Sequence, residues 1–160
     1  VQPELKGKDI ILRRQLMPDA KRETIQLFKE LGIKPTSMID VSDGLSSECL
    51  HLCKNSGLGC ALYHEKIPIH QMVKDTAQEL NLDPLTCALN GGEDYELLFT
   101  ISQSDYEKVY GERSRTIKGN PGIIIIGHMS DLSDGCNIIL NSGQSLPLTA
   151  QGWDAFNKKT

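Results

Sequence analysis

Short helical segments alternate with short extended segments along most of this 160-residue chain. The spacing of apolar residues predicts helices at 20–31, 45–55, 70–80 and 104–111, with a further short helix after Pro84. Extended segments are predicted at 38–41, 60–65, 94–101, 122–129 and 136–140. Because residues 141–144 resemble a hairpin turn, the pattern favours an α+β domain with mixed α/β layers. We therefore expect a mixed sheet with packed helices rather than a purely parallel sheet.

Three local signals sharpen these boundaries. Gly32 and Gly57 follow the last apolar residues of two predicted helices and are natural helix stops. Ser104 precedes another helical segment and is predicted to cap it. The Ser-Asp-Gly tripeptide at 133–135 precedes an extended run, so we expect it to form a hairpin between strands.

Composition excludes several classes of protein. Hydrophobic residues make up 39% of the chain and charged residues 24%, which is typical of a globular domain. The longest apolar run, the four isoleucines at 123–126, is far shorter than the roughly 20 residues that cross a membrane. The 17 basic and 21 acidic residues include no basic block, so nucleic acid is not an expected partner.

The five cysteines form no C-x-x-C pair. Cys49 and Cys53 lie four residues apart, on the apolar face of a predicted helix. This spacing favours reduced thiols with a packing role, as expected in a cytoplasmic protein.

The sequence "MIDVSDGL" places Asp40, Ser42 and Asp43 just before Gly44, where a predicted strand leads into a helix. Either Ser42 or Asp43 could cap that helix by accepting bonds from its free N–H groups. Capping leaves Asp40 unexplained. The alternative is a metal–phosphate site, in which backbone N–H groups face phosphate and Mg²⁺ is held between the carboxylates and the phosphate.

A second acidic segment, "NGGEDYELLF", carries two glycines ahead of Glu93 and then enters a predicted strand. Paired glycines let the backbone approach a ligand closely. The alternative is a tight turn with exposed acids. Near the end of the chain, Trp153 could either dock the tail on the core or stack on a flat heteroaromatic ligand.

Three motifs together resemble the C-terminal half of thiamine-monophosphate kinase. They are "IDVSDGL" at 39–45, "NGGEDYELLF" at 90–99 and "GWDAF" at 152–156, in the order found in that family. Its wider superfamily includes aminoimidazole ribonucleotide synthetase, so the resemblance implies a C-terminal domain of that fold type.

The resemblance implies ATP-dependent phosphorylation of thiamine monophosphate to thiamine diphosphate, with Mg²⁺ as cofactor. It assigns a role to six positions of this chain. They are Asp40 and Asp43 as magnesium ligands, Ser42 and Gly44 as ATP contacts, and Glu93 and Trp153 as contacts of thiamine monophosphate.

The family also has an N-terminal domain that carries further magnesium ligands and forms a homodimer. We expect residues 1–18 to be a linker from such a domain and residues 19–160 to be a single C-terminal domain, monomeric and inactive alone. Two alternatives stay open. One is another ATP-using member of the superfamily, like selenophosphate synthetase or aminoimidazole ribonucleotide synthetase, and the other is a non-catalytic ligand-binding module.

Overall fold

The computed structural model describes residues 6–112, 116–117 and 120–150. Its helices are α1 (Asp9–Leu16), α2 (Arg22–Leu31), α3 (Leu45–Ser56), α4 (Gln71–Glu79), α5 (Pro84–Asn90) and α6 (Tyr106–Glu112). Its strands are β1 (Ser37–Asp40), β2 (Gly59–Tyr63), β3 (Leu97–Thr100), β4 (Thr116–Ile117), β5 (Asn120–Pro121), β6 (Gly127–Ser130), β7 (Cys136–Ile139) and β8 (Ser145–Pro147).

The largest sheet is mixed and has the strand order β6-β2-β7-β8. Strand β2 pairs antiparallel with β6 and parallel with β7, while β7 and β8 form an antiparallel hairpin. Strands β1 and β3 form a separate antiparallel pair, and β4 pairs with β5. This combination of helices with mixed strand directions confirms the predicted fold class.

The helix ends follow the local signals in the sequence. Gly32 ends α2 and Gly57 ends α3, both in the left-handed conformation that glycine adopts most readily. Helix α5 has Pro84 in its first turn, and the Asp83 side chain accepts a hydrogen bond from the backbone N–H of Thr86. The predicted stops and the predicted helix after Pro84 are therefore confirmed.

Two hydrophobic clusters form the interior. The first joins α3 to the large sheet and is built from Leu45, Cys49, Cys53, Cys60, Leu62, Ile67, Ile138 and Leu148. The second lies where α2 and α6 meet and is built from Leu27, Phe28, Ile33, Val109 and Ile123. In the second cluster, Phe28 meets Phe99 of β3 edge to face, with ring centroids 4.8 Å apart.

The four isoleucines at 123–126 do not form the strand predicted at 122–129, which is confined to Gly127–Ser130. Ile123 and Ile125 belong to the second cluster or pack on it, whereas Ile126 packs on the first. The run is irregular because it connects two cores instead of covering one sheet. Its link to the sheet is the hydrogen bond from the Tyr63 N–H to the Ile126 carbonyl, 2.8 Å.

The hairpin predicted at 133–135 is wrong. Residues Leu132–Asp134 form a 3₁₀ turn that joins β6 to β7, and these strands lie on opposite sides of β2. The connection therefore crosses the start of β2, where the Gly135 carbonyl accepts a hydrogen bond from the Cys60 N–H. The turn signal was correct, but a tripeptide does not encode which strands its neighbours pair with.

The predicted capping role of Ser104 is also wrong. Ser104 lies inside the 3₁₀ turn Gln103–Asp105 that precedes α6. Ser102 stands at the start of that turn, where its hydroxyl donates to Asp105 over 2.9 Å. Ser102 stands at the cap position of the 3₁₀ turn, but its side chain makes no capping hydrogen bond to a backbone N–H.

The N-terminal segment includes α1, which has no buried residue. Lys8 and Arg14 help to attach it to the domain, since Lys8 bonds to Thr76 and Glu79 and Arg14 pairs with Glu96 at 2.6 Å. That residues 1–18 serve as a linker stays a prediction. Within the described ranges, every helix is too short or too polar to cross a membrane.

Candidate functional site

The turn between β1 and α3 contains four of the predicted site residues. Asp40 is the last residue of β1, and its side chain is exposed, as is that of Asp43. Gly44 directly precedes α3 with a φ of 107°, which L side chains rarely adopt. A Cβ at Gly44 would lie 2.9 Å from the Leu89 carbonyl oxygen, so the turn packs directly on the end of α5.

The start of α3 has no side-chain cap, contrary to the capping interpretation of Ser42 and Asp43. Gly44 takes the cap position, and among the residues that the structure describes no side chain bonds to the first N–H groups of the helix. Unbonded N–H groups and the positive end of the helix dipole at a helix start favour the binding of an anion. The exposed carboxylates of Asp40 and Asp43 flank this end of the helix.

Glu48 positions the turn from inside the protein. It lies in the first turn of α3 and is only 2% exposed. Its carboxylate accepts hydrogen bonds from the Asp43 backbone N–H at 3.1 Å and from the Ser42 hydroxyl at 3.4 Å. Glu48 belongs to none of the sequence motifs that predicted the site. The signal was present, because position 48 falls on the same apolar helix face as Leu45, Cys49 and Leu52.

The second motif forms a loop that lies against this turn. The N–H groups of Glu93 and Tyr95 donate to the carbonyls of Ser42 and Val41, each over 2.8 Å. Gly92 permits this approach, because a Cβ there would lie 2.5 Å from the Ser42 carbonyl oxygen. The structure therefore brings the two motifs, about 50 residues apart in the sequence, into direct contact.

The loop also explains why strand β3 is shorter than the predicted strand at 94–101. Glu93 and Tyr95 have φ values of 66° and 49°, a left-handed conformation that is uncommon outside glycine. Two such residues are incompatible with a regular strand, which begins only at Leu97. Backbone strain of this kind is concentrated at functional sites in proteins.

The acidic side chains of both motifs influence the ionisation of the Tyr95 hydroxyl. Its hydroxyl donates to Glu93 over 2.9 Å. This hydrogen bond, the charge of Glu93 and the nearby charges of Asp40 and Asp43 raise the pKa of Tyr95. The effect on a single hydroxyl indicates that the three predicted carboxylates face a common region.

This set of donors fits Mg²⁺ held together with phosphate. Magnesium prefers oxygen ligands and is commonly bound by one or two carboxylates plus substrate phosphates. In the described part of the chain, three possible metal-ligand atoms lie within 4.8 Å of one another only among cysteine sulfurs. Asp40, Asp43 and Glu93 do not meet this criterion, so these three carboxylates alone do not form a closed cage for a metal ion.

A pair of basic residues borders the acidic loop. Glu96 accepts from Arg14 at 2.6 Å and from Lys21 at 2.5 Å. Asp94 lies beside this group, and burial together with the charge of Glu96 raises its pKa, while Arg14 and Lys21 oppose the shift. Trp153, the remaining predicted site residue, lies outside the described residues.

Curated relatives support the resemblance found in the motifs. No family model matches the chain. The chain is 35% identical over 150 residues to the thiamine-monophosphate kinase of Buchnera aphidicola subsp. Acyrthosiphon pisum. This alignment covers 94% of this chain and 44% of the relative. It is 29% identical over 159 residues to the Escherichia coli K12 enzyme of that name, and the alignment covers 96% of this chain and 44% of that enzyme. The chain thus spans less than half the length of these relatives.

Solved structures share the fold. A complex of AaThiL with AMPPCP and TMP matches with a TM-score of 0.71 and 24% identity, over 97% of this chain and 44% of that one. HypE of E. coli, a hydrogenase maturation protein, matches with a TM-score of 0.67 and 18% identity, over 92% of this chain and 46% of HypE. These matches confirm the aminoimidazole ribonucleotide synthetase-like fold.

Proposed function

We propose that this chain is the C-terminal lobe of an ATP-dependent kinase that converts thiamine monophosphate to thiamine diphosphate. One observation carries the proposal from the structure: the two acidic motifs meet at the uncapped start of α3. Phosphoryl transfer needs mainly positioning and charge neutralisation, and this arrangement offers both. The curated relatives of that name, which match nearly the whole chain, supply the substrate.

In this proposal, the turn before α3 binds the ATP phosphates. Ser42 and Gly44 contact the nucleotide, and Asp40 and Asp43 hold Mg²⁺. Bound Mg²⁺ would supply positive charge that offsets the charge on the transferred phosphoryl group. Glu48 accepts from the Ser42 hydroxyl and the Asp43 backbone N–H, so the turn that carries these two residues is held in place before the nucleotide arrives.

The second loop binds the acceptor substrate. Glu93 contacts thiamine monophosphate, and its hydrogen bond with Tyr95 restricts the side chain. Trp153 packs on the aromatic part of that substrate. Direct transfer follows when the two loops hold both substrates close together, since orientation alone lowers the barrier of such reactions strongly.

We further propose that the whole enzyme has an additional N-terminal domain through which it forms a homodimer. That domain supplies the remaining magnesium ligands and most of the nucleotide pocket. The five cysteines of the chain are free thiols, which favours a reducing compartment such as the cytoplasm.

Asp43→Asn in the full-length enzyme tests the magnesium assignment. Asn keeps the size of Asp but removes the charge, so we expect kcat to fall by about 10²-fold, equivalent to about 2.7 kcal/mol, with partial recovery at high Mg²⁺. The melting temperature without ligand should hold, because Asp43 does not cap α3. Full activity of the variant at limiting Mg²⁺ would refute the assignment.

The matched control is Asp134→Asn. Asp134 belongs to the other Ser-Asp-Gly tripeptide, is also exposed, and lies in the 3₁₀ turn before β7. The same loss of one carboxylate charge is expected to leave kcat unchanged there. A similar fall in both variants would point to a general effect of charge instead of a metal ligand.

A further inference from the structure

Three thiols meet in the core beneath α3. Cys60 and Cys136 are directly opposite each other in the parallel pair β2/β7, and Cys53 packs on them from α3. Their sulfur atoms all lie within 4.8 Å of one another. We call Cys53, Cys60 and Cys136 the three-thiol cluster. The remaining cysteines, Cys49 and Cys87, are not part of it.

The surroundings of the cluster oppose negative charge. It lies in the hydrophobic core beside Leu45, Leu62, Ile67, Ile138 and Leu148. Burial raises the pKa of Cys60 to about 11 and also raises that of Cys53. Three thiolates around a divalent cation would leave one net negative charge in this apolar region, and burying such a charge is costly. The site therefore disfavours Zn²⁺ despite its three sulfur ligands.

A trivalent ion with three thiolates forms a neutral complex, which removes this cost. We propose that the three-thiol cluster is a binding site for trivalent arsenic, taken up as arsenous acid, As(OH)₃. Three S–H bonds and three As–O bonds break, and three As–S bonds form. Each thiol hydrogen leaves with one arsenic hydroxyl, so three water molecules are released. Arsenic stays in the trivalent state, and no oxidant or reductant is required.

The geometry fits such a complex. Trivalent arsenic carries a lone pair, so its three bonds form a pyramid. With angles of about 100° and bonds of about 2.3 Å to sulfur, a typical metal–sulfur length, neighbouring sulfur atoms are about 3.5 Å apart. The sulfur atoms already lie within 4.8 Å of one another, so only small side-chain rotations are needed. Cys136 is only half-buried, whereas Cys53 and Cys60 are 3% and 4% exposed. Cys136 is thus the accessible thiol at which the first As–S bond forms.

This inference is independent of the proposed kinase activity, so the test measures binding alone. The full chain is reduced with a phosphine, freed of reductant and incubated with arsenite. Mass spectrometry under native conditions is expected to show one arsenic atom gained and three hydrogens lost per chain. X-ray absorption at the arsenic edge is expected to show three sulfur neighbours. No adduct, or an arsenic with two sulfur neighbours, would overturn the proposal.

Two cysteines on one helix provide the matched control. Cys53→Ala removes one member of the cluster and is expected to abolish the three-sulfur adduct. Cys49→Ala removes an equally buried thiol one turn earlier on α3 and is expected to leave it intact, as is Cys87→Ser. Circular dichroism identifies which variants are folded. Retention of the three-sulfur adduct by folded Cys53→Ala, or its loss in folded Cys49→Ala, would refute the assigned ligands.

Competition with Zn²⁺ tests whether the cluster prefers a trivalent ion or binds any thiol-seeking metal ion. The same chain is titrated with Zn²⁺ and then challenged with arsenite. Arsenite is expected to react fully in the presence of equimolar Zn²⁺. If Zn²⁺ bound at the cluster prevents the arsenic adduct, the argument from charge neutrality is wrong.

Discussion

Glu48 is a carboxylate buried on the apolar face of a helix, and its two hydrogen-bond donors come from the candidate phosphate turn. Glu48→Ala would leave the Asp43 N–H and the Ser42 hydroxyl without this acceptor. Both hydrogen bonds are partly buried and end on a carboxylate, and such bonds contribute about 1.5–3 kcal/mol each, so we expect the free energy of unfolding to fall by about 2–3 kcal/mol in urea denaturation. Glu48→Gln, which keeps one acceptor oxygen, should lose less.

The control for Glu48 is Glu107→Ala, which removes an exposed carboxylate from the first turn of α6. We expect its effect on stability to lie within about 0.5 kcal/mol. Equal losses at positions 48 and 107 would mean that the contacts of Glu48 contribute nothing measurable.

Gly92→Ala tests the contact between the two loops. The added Cβ would lie 2.5 Å from the Ser42 carbonyl oxygen, which is backbone and cannot rotate away. We therefore expect the loop to separate from the turn and the Glu93 N–H, which donates to that carbonyl, to exchange with solvent at least tenfold faster by NMR. Gly143→Ala strains the backbone in the turn between β7 and β8, where φ is 83°, but its methyl group meets nothing within 4 Å, and exchange at Glu93 should not change.

For individual residues, the sequence identified the candidates but not their geometry. Asp40, Ser42 and Asp43 were identifiable because they are close together and precede a helix. The left-handed conformations of Glu93 and Tyr95 were not, because they are imposed by hydrogen bonds to Val41 and Ser42, which are distant in sequence. The role of Glu48 was also hidden, since its donors belong to a turn whose shape depends on α5.

Among the helices, α5 has the clearest local determinant. The Asp83 carboxylate accepts from the Thr86 N–H at 2.7 Å and from the Thr86 hydroxyl at 2.8 Å. Asp83→Ala should cost about 1 kcal/mol of stability, whereas Asp83→Asn should retain most of it. Urea denaturation near neutral pH would measure both values, and equal stability of the Ala variant and the unaltered chain would contradict the capping role.

The Asp83 cap also has a defined pH dependence. The Thr86 N–H, the principal cause, lowers the pKa of Asp83 in the folded chain. A lowered carboxyl pKa stabilises the fold above the ordinary Asp value, and this contribution is lost as the pH falls through the folded value. The stability difference between the unaltered chain and Asp83→Asn should therefore shrink with acidification over that range.

Elements with local determinants were predicted well, as the two glycine stops and the Pro84 helix start illustrate. Elements defined by distant partners were not. The isoleucine run resembles a buried strand in sequence, yet its side chains are divided between two cores. The turn at 133–135 resembles a hairpin, yet β2 lies between the strands that it joins.

For the molecule as a whole, we expect the isolated 160-residue chain to fold, to be monomeric and to lack kinase activity. Both hydrophobic clusters close within this chain, whereas the proposed dimer contact and most of the nucleotide pocket belong to the additional domain. Sedimentation at micromolar concentration and a thiamine monophosphate turnover assay would check the two expectations. A stable dimer, or turnover above a mock preparation, would contradict them.

The strand order β6-β2-β7 also bears on how the chain is made. On the ribosome, β2 emerges well before β6 and β7, the two strands that flank it. Until the last quarter of the chain has been synthesised, both edges of β2 are unpaired, and α3 has no completed sheet to cover. Contacts between segments so distant in sequence form slowly and leave apolar surface exposed meanwhile. The nascent chain therefore depends on late completion of its main sheet, and this interval is when chaperones would bind it.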